Sequence, residues 1–313
     1  MTATLSLLRS LFTAAIVLVS TTATTAVSAK ISVVDDSGKV VTLAAPAQRI
    51  VSLSPHATEL LFAAGAGQQV VGVSEYSDFP AAAKQLPSVG GSGQLDIERI
   101  VSLKPDLIIA WASGNNQRQL ERLRKLGLTV FESDPRSFAA IADSLERLGT
   151  LAGRDEGRLQ AQQFDKHLLV LRQQYAGRAS VTVFYQIWST PLMTLNDAHI
   201  VSQAIRLCGG LNVFGHLKPL VPTVSREAVL TANPDMIIVS DETGKGLERW
   251  RAFKRMQAVA SGNLLSVDGA TMNRAAPRLI EATRALCEQI DQVRQRTEMH
   301  TGQLLNKPNE TNK

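Results

Sequence analysis

The chain has little cysteine, no long apolar run beyond its first residues, and no block of like charge. Two cysteines in 313 residues exclude a disulfide-dense miniprotein and any CxxC-type zinc or redox site. The 33 basic and 28 acidic residues are interspersed, with no run of five or more of one sign. The net charge of +5 is therefore read as a solvated, mixed-sign surface and not as a nucleic-acid footprint. Catalytic signatures are missing too. There is no P-loop, Gly65-Ala66-Gly67 closes a helix instead of opening one, and Gln94 stands where a GxSxG elbow around Ser92 needs its second glycine. His56, His167, His199, His216 and His300 form no HxH or HExxH pattern, so a bare metal site has no support. An exported hydrolase stays a remote alternative, because a carboxylate pair for glycoside work is a spatial feature and leaves no spacing to read.

What is there is a chain of 44% hydrophobic and 19% charged residues. That is enough for one large domain or two ordinary ones, and too apolar for intrinsic disorder. Residues 1–29 read as a secretory signal peptide. Arg9 supplies positive charge, Leu11 to Val19 the apolar core, and Val27-Ser28-Ala29 the small residues before a cut after Ala29. The apolar core is far shorter than the ~20 residues of a spanning helix. An exported location gives Cys208 and Cys287 a meaning, since two cysteines in an oxidising compartment most often pair. Two buried free thiols are the alternative.

Beyond the leader, apolar strands alternate with helices on short loops, the pattern of a mostly parallel sheet covered on both faces. Ile31–Val34 and Val40–Leu43 flank an Asp-Asp-Ser-Gly turn and read as a hairpin. Strands follow at Arg49–Leu53, Val70–Val73, Leu107–Ala110 and Thr129–Phe131, with helices at Ala57–Ala64, Asp96–Leu103, Gln117–Leu126 and Phe138–Leu151. The second half repeats the grammar: strands at Ser180–Tyr185 and Met236–Val239, helices at His199–Cys208 and Glu227–Ala232, and a last helix at Pro277–Arg296. The clearest internal match sets Glu98-Arg-Ile-Val-Ser-Leu-Lys-Pro-Asp106 against Glu227-Ala-Val-Leu-Thr-Ala-Asn-Pro-Asp235, each followed by an apolar strand. Between the halves, Asp155 to Tyr175 is one uninterrupted helical pattern, about 30 Å long at 1.5 Å per residue. The expected division is a leader at 1–29, an α/β lobe at 30–153, a linker helix at 154–178, a second α/β lobe at 179–300 and a disordered tail at 301–313.

Several stretches together resemble the periplasmic binding proteins of the iron-siderophore, haem and vitamin B12 class, which feed ABC importers. These are Arg49-Ile-Val-Ser-Leu-Ser-Pro-His-Ala-Thr-Glu59, Val71-Gly-Val-Ser-Glu-Tyr-Ser-Asp-Phe-Pro80 and Glu98 to Asp106. Phe184-Tyr185-Gln186, Leu207-Cys208-Gly209-Gly210, Val224-Ser225-Arg226-Glu227 and Arg274-Ala-Ala-Pro-Arg278 are most similar to the cobalamin-binding members. The resemblance implies an α/β fold of two Rossmann-like lobes with parallel-rich sheets, joined by one long rigid helix, with the ligand between them. It implies no catalysis and no resident cofactor, only a carried ligand: cobalamin or a related corrinoid, with haem or a ferric siderophore as the alternative. It also implies a monomer that docks on the permease subunits of an importer, and it places the cysteine pair where those members carry a disulfide.

Residue by residue, the resemblance sets Tyr76, Trp111 and Arg274 at the ligand, with Trp188 facing them from the second lobe and Met272 beside Arg274. Flat, partly apolar rings with amide edges suit rigid aromatics and a few donors. His56 lies in the Ser-Pro-His loop, where an imidazole reaches a metal-bearing ligand or serves the loop itself; Tyr76 is a second candidate for haem iron. Trp250, in a basic helical stretch, is read as structural. Glu98 and Glu227 hold equivalent places in the two repeats. Each favours its own helix dipole, and the resemblance makes them the pair that docks on transporter arginines. The chain departs from the aromatic-rich pattern at Ser92 and Gly93, at Val221, and at Ala270, Thr271 and Met272. Its pocket is therefore expected to be less aromatic.

Overall fold

The computed structural model describes residues 30–91, 93–241 and 243–305. The expected leader and its cleavage point lie outside the described residues, as do Ser92 and residues 306–313. Strands β1 (Ile31–Val34) and β2 (Val40–Leu43) form the antiparallel hairpin. Its turn is closed by the Asp35 carboxylate, which accepts the Ser37 and Lys39 amides at 2.9 Å each, as aspartate does in tight turns. Next come β3 (Ile50–Ser52), α1 (Pro55–Ala63), β4 (Val70–Val73), α2 (Ile97–Ser102), β5 (Leu107–Trp111), α3 (Gln117–Lys125), β6 (Val130–Ser133) and α4 (Phe138–Ala152). The bridging helix α5 (Glu156–Tyr175) leads to β7 (Val181–Gln186). A small hairpin of β8 (Trp188–Ser189) and β9 (Leu192–Met193) follows, then α6 (Ile200–Leu207), β10 (Gly210–Asn212), α7 (Arg226–Ala232) and β11 (Met236–Val239). The chain continues through α8 (Lys245–Arg251), α9 (Gln257–Ala260), β12 (Leu264–Ser266), α10 (Gly269–Met272) and α11 (Leu279–Leu305).

Two four-stranded parallel sheets result, with orders β4-β3-β5-β6 and β10-β7-β11-β12. Taken in chain order within each half, both run second, first, third, fourth. The internal sequence match thus marks the same place twice, the helix and strand that precede and form the third position. Its chemistry is shared. Asp96 and Ser225 cap α2 and α7 by accepting the Arg99 and Ala228 amides. Lys104 and Asn233, the residues before the prolines, both take left-handed backbone (φ 47° and 40°), consistent with proline's exclusion of right-handed helix from its predecessor. Asp106 then accepts the Gln48 and Arg49 amides at 2.7 and 3.0 Å. Asp235 likewise accepts the Thr182 amide at 2.8 Å. Each Pro-Asp pair pins the start of the third strand to that of the first.

Alternation along the strands sorts their side chains onto two faces. Leu107 and Ile109 face one apolar cluster while Ile108 and Ala110 face another; Met236 and Ile238 divide from Ile237 and Val239 in the same way. The outer clusters belong to one half each. The inner cluster is common to both, running from Ile50 and Phe131 through Phe164, Leu168 and Leu171 of α5 to Val183, Ile205 and Ile290. Helices α4 and α5 meet there at a glycine pair. A Cβ on Gly157 would fall 2.4 Å from the Leu145 carbonyl oxygen and 2.8 Å from the Gly149 Cα, so only glycine permits that approach. Cys208, at the end of α6, is disulfide-bonded to Cys287 of α11. Helix α11 reaches Leu305, past the start expected for the polar tail.

Candidate functional site

The carboxyl ends of both sheets face one another across a cavity of about 250 Å³. Its first wall consists of Pro55, His56, Trp111, Ser113 and Asp134 with its neighbours; its second consists of Ala198, His199, Ile200, Leu220 and Asn273 to Ala275. Loops at the carboxyl ends of parallel strands are where open α/β sheets place ligands.

Trp111 is the last residue of β5, and its placement is fully determined. Its indole Nε1–H donates to Asp134 Oδ1 at 3.0 Å, and its amide donates to Asn115 Oδ1 at 2.7 Å. The ring lies flat over Gly114, where a Cβ would meet it at 2.0 Å. Asp134 is held in turn: its amide donates to Asp36 Oδ2 at 2.6 Å, and Arg136 grips its other oxygen. The β1–β2 turn therefore buttresses the tryptophan through one aspartate.

His56 stands edge-on to Trp111, with ring centroids 5.6 Å apart. It is only 7% exposed, and its Nε2 has no hydrogen-bond partner. Burial lowers its pKa to about 4, against the opposing charge of Asp134 and a hydrogen bond with the Ser133 backbone. From the opposite wall, His199 caps α6, its Nδ1 accepting the Val201 amide at 3.2 Å. Burial lowers its pKa to about 4 as well. Two neutral imidazoles, one from each half, thus line one cavity.

Arg274 also lines the cavity, but its donors are committed across it. Nη1 donates to Glu59 Oε1 at 3.1 Å and to Asp78 Oδ1 at 2.6 Å, and Nη2 donates to the Tyr76 carbonyl at 3.1 Å. Arg278 grips the same Glu59 with two bonds, 2.9 and 2.6 Å, and lies 3.9 Å over the Phe79 ring. Glu59 on α1 is buried. A second tie, from Gln203 Nε2 to the Arg136 carbonyl at 2.8 Å, joins the walls through α6.

The loop at residues 74–80 carries Tyr76. Its base is set by a chain of hydroxyls in which Thr58 Oγ1 bonds Ser52 at 2.8 Å and Ser77 at 3.0 Å, and Ser77 reaches Ser74. Tyr76 itself takes left-handed backbone (φ 63°) and is 80% exposed, standing at the rim above the cavity's arginine. Trp188 is 62% exposed, with Nε1 bonded to the Thr190 carbonyl. It lines a separate hollow at the ends of β7 and β11, with Gln186, Ser240 and Asp241.

The structure therefore brings His56, Trp111 and Arg274 together, sets Tyr76 at the rim, and places Trp188 in a neighbouring hollow. Met272 is not with them. It is buried in the apolar core because α10 turns that side chain inward, away from the cavity that Asn273 and Arg274 reach. Trp250 is buried against Phe184, with its Nε1 on Gln186 at 2.8 Å. Glu98 and Glu227 are both exposed in the first turns of α2 and α7. Among the described residues no group of three or more His, Cys, Asp or Glu is set to hold a metal ion. Sequence reasoning missed Asp134, His199, Asn273, Glu59 and Asp78. Asp134 had a legible signal, a polar residue at the carboxyl end of a strand; the others depend on which loops meet across the cavity.

Comparison with known proteins adds family and fold. Residues 50–271 match the family described as periplasmic binding protein. The chain is 40% identical over 244 residues to the vitamin B12-binding protein of Vibrio cholerae, covering 77% of this chain and 88% of that one. The crystal structure of the periplasmic vitamin B12-binding protein of Vibrio cholerae superposes with a TM-score of 0.75 at 39% identity, covering 79% and 98% of the two chains. A periplasmic haem-binding protein from Roseiflexus shares the fold, with a TM-score of 0.70 at 23% identity and coverage of 79% and 99%.

Proposed function

The chain belongs to the periplasmic binding protein family, and from that premise we propose that it captures cobalamin or a related corrinoid between its two halves and hands it to an ABC importer. The family consists of binding proteins and not enzymes, so the work of this site is recognition and release. The observation that carries the reading is the cavity where both sheets end, with a locked tryptophan on one wall and an arginine on the other, in a chain about 40% identical to vitamin B12-binding relatives.

The cavity is below the ~300–1,000 Å³ usual for a bound small molecule. A corrinoid therefore occupies the cleft mouth, with the cavity as its floor and the Arg274 and Gln203 ties parted. Trp111 offers a rigid apolar face, Tyr76 closes from the rim, Trp188 extends the surface along the second half, and Arg274 donates to the ligand's polar edge. His56 is the group within the floor that faces a metal-bearing ligand, and its unpartnered nitrogen favours haem as the second reading. Glu98 and Glu227, exposed at equivalent places in the two repeats, dock on the importer's permease subunits. The protein acts as a periplasmic monomer after cleavage following Ala29, with lobes at 30–153 and 179–300 about the helix at 154–178.

Calorimetric titration of the purified protein with cyanocobalamin and, separately, haemin tests this, with absorbance spectra recorded throughout. The expected result is tight one-to-one binding of cyanocobalamin with haemin inert. Haemin binding with a shifted Soret band and no corrinoid binding replaces the reading with the haem alternative. Changing Glu98 and Glu227 together to alanine is expected to abolish uptake while leaving ligand affinity intact.

A further inference from the structure

Four charged groups meet where the two halves touch, and they are not equivalent. Glu59 has a side chain 2% exposed and is gripped at both oxygens by Arg278. That carboxylate and guanidinium form a closed, bidentate pair whose geometry neither partner leaves cheaply. Arg274 adds one longer bond to Glu59, and its charge is answered mainly by Asp78 at 2.6 Å. Asp78 is the accessible member, with its side chain 49% exposed. It sits two residues from Tyr76, whose carbonyl takes the other end of the same guanidinium. One arginine therefore holds the tyrosine loop through a carboxylate that solvent, or a ligand, can reach.

We propose that Asp78 is a built-in competitor for Arg274, a specificity-determining residue that occupies the arginine in the empty cleft and yields it to a ligand bearing an anionic group. The inference rests on the ligand-binding reading above. Its basis is charge balance. A guanidinium 15% exposed that gives up a carboxylate for a neutral amide loses half of a charge-assisted pair; one that exchanges it for a phosphodiester or carboxylate does not. Asp78 thereby discriminates against neutral ligands of similar shape. Release also frees the Tyr76 carbonyl, so the loop that covers the ligand is unlocked by the same exchange. Burial raises the Asp78 pKa, yet the hydrogen bond and charge of Arg274 hold it below the ordinary value, so the competitor is anionic at neutral pH.

The experiment is a cycle of Asp78→Asn, Arg274→Gln and the double variant, titrated with cyanocobalamin, which carries a phosphodiester, and with dicyanocobinamide, which lacks it. Asp78→Asn is expected to tighten dicyanocobinamide binding about two- to fivefold, the worth of a half-exposed ion pair, and cyanocobalamin binding by less, so that the preference for the phosphodiester narrows. Asp78→Ser serves as a second probe should the asparagine disturb the loop. In the Arg274→Gln background neither change has an effect. An equal gain for both corrinoids, a larger gain for cyanocobalamin, a gain that persists without Arg274, or no gain at all overturns the proposal; a larger gain for cyanocobalamin would mean that Asp78 merely repels anions at long range. Should the unaltered protein bind neither corrinoid, the functional reading fails instead. The same cycle run on haemin, whose propionates bring the charge, then decides the role of Asp78.

Discussion

The two halves share a strand order and a Pro-Asp clamp, yet they are finished differently. The first is closed by α4, fifteen residues long, packed against α5 at the Gly149–Gly157 contact. The second runs through short pieces, with α9 and α10 of four residues each and β12 of three, before the long α11 closes it. It carries the disulfide, which ties α6 to α11. The walls of the cleft differ in the same sense. The first presents a tryptophan locked by Asp134 and Gly114; the second presents an exposed tryptophan on a two-strand hairpin and an arginine engaged with the other side. A repeated scaffold fixes where ligand chemistry sits and leaves open what that chemistry is.

The sharpest way to break the comparison is to remove the cross-link. Changing Cys208 and Cys287 together to alanine opens a loop whose ends are 79 residues apart and is expected to cost about 4 kcal/mol, the upper end for a disulfide. Because the inner core is shared, one unfolding transition should shift as a whole in a urea melt. Two separate transitions would show that the second half stands on the bridge alone. Glu59→Gln comes next, at about 3 kcal/mol, because it leaves two guanidiniums short of their buried partner. That loss should appear in chemical denaturation of the unliganded protein and should strike both halves together.

Acid is expected to act on both walls alike. His56 and His199 have pKa values lowered from 6.5 to about 4, so the unfolded chain takes up their protons first. Their contribution to stability is complete above about pH 6.5 and is lost as pH falls toward 4, approaching about 2 kcal/mol each at pH 5. Denaturant midpoints measured between pH 7.5 and 5 check this, and His56→Gln should remove roughly half of the slope. The smallest effects concern ligand affinity and separate the walls again. Trp111→Ala is expected to weaken cyanocobalamin binding by about 2 kcal/mol, and Trp188→Ala by under about 1 kcal/mol, because a pre-ordered aromatic loses less freedom on binding than an exposed one. Equal losses in calorimetry would make the two walls equal partners.

Much of this architecture was legible in the residues. Alternating apolar strands, the proline that stops each helix, and the repeated Glu-to-Pro-Asp segment revealed the doubled α/β plan and the bridging helix. The short strands β10 and β12 were not legible, since three residues beside glycine or asparagine carry no period of their own; each is a strand because a neighbour pairs with it. At the site, Trp111 could be placed from its position at a strand end. The partner of Arg274 could not, because Asp78 lies 196 residues away in sequence and only the meeting of two loops joins them. Met272 is a like case: its side chain joins the apolar core, while Asn273, the next residue and past the end of α10, lines the cavity.

The apolar cluster that crosses α5 has a mechanical consequence. A hinge needs a plane where packing stops, so that one body can rotate without dragging the other. Here Phe164, Leu168 and Leu171 touch the same continuous cluster as Phe131 on one side and Ile205 on the other, and that plane is absent from the middle of the molecule. Such a body behaves as a stiff spring: work done on one wall is stored as small strain throughout, and large displacement is confined to the rim loops, which the shared core does not hold.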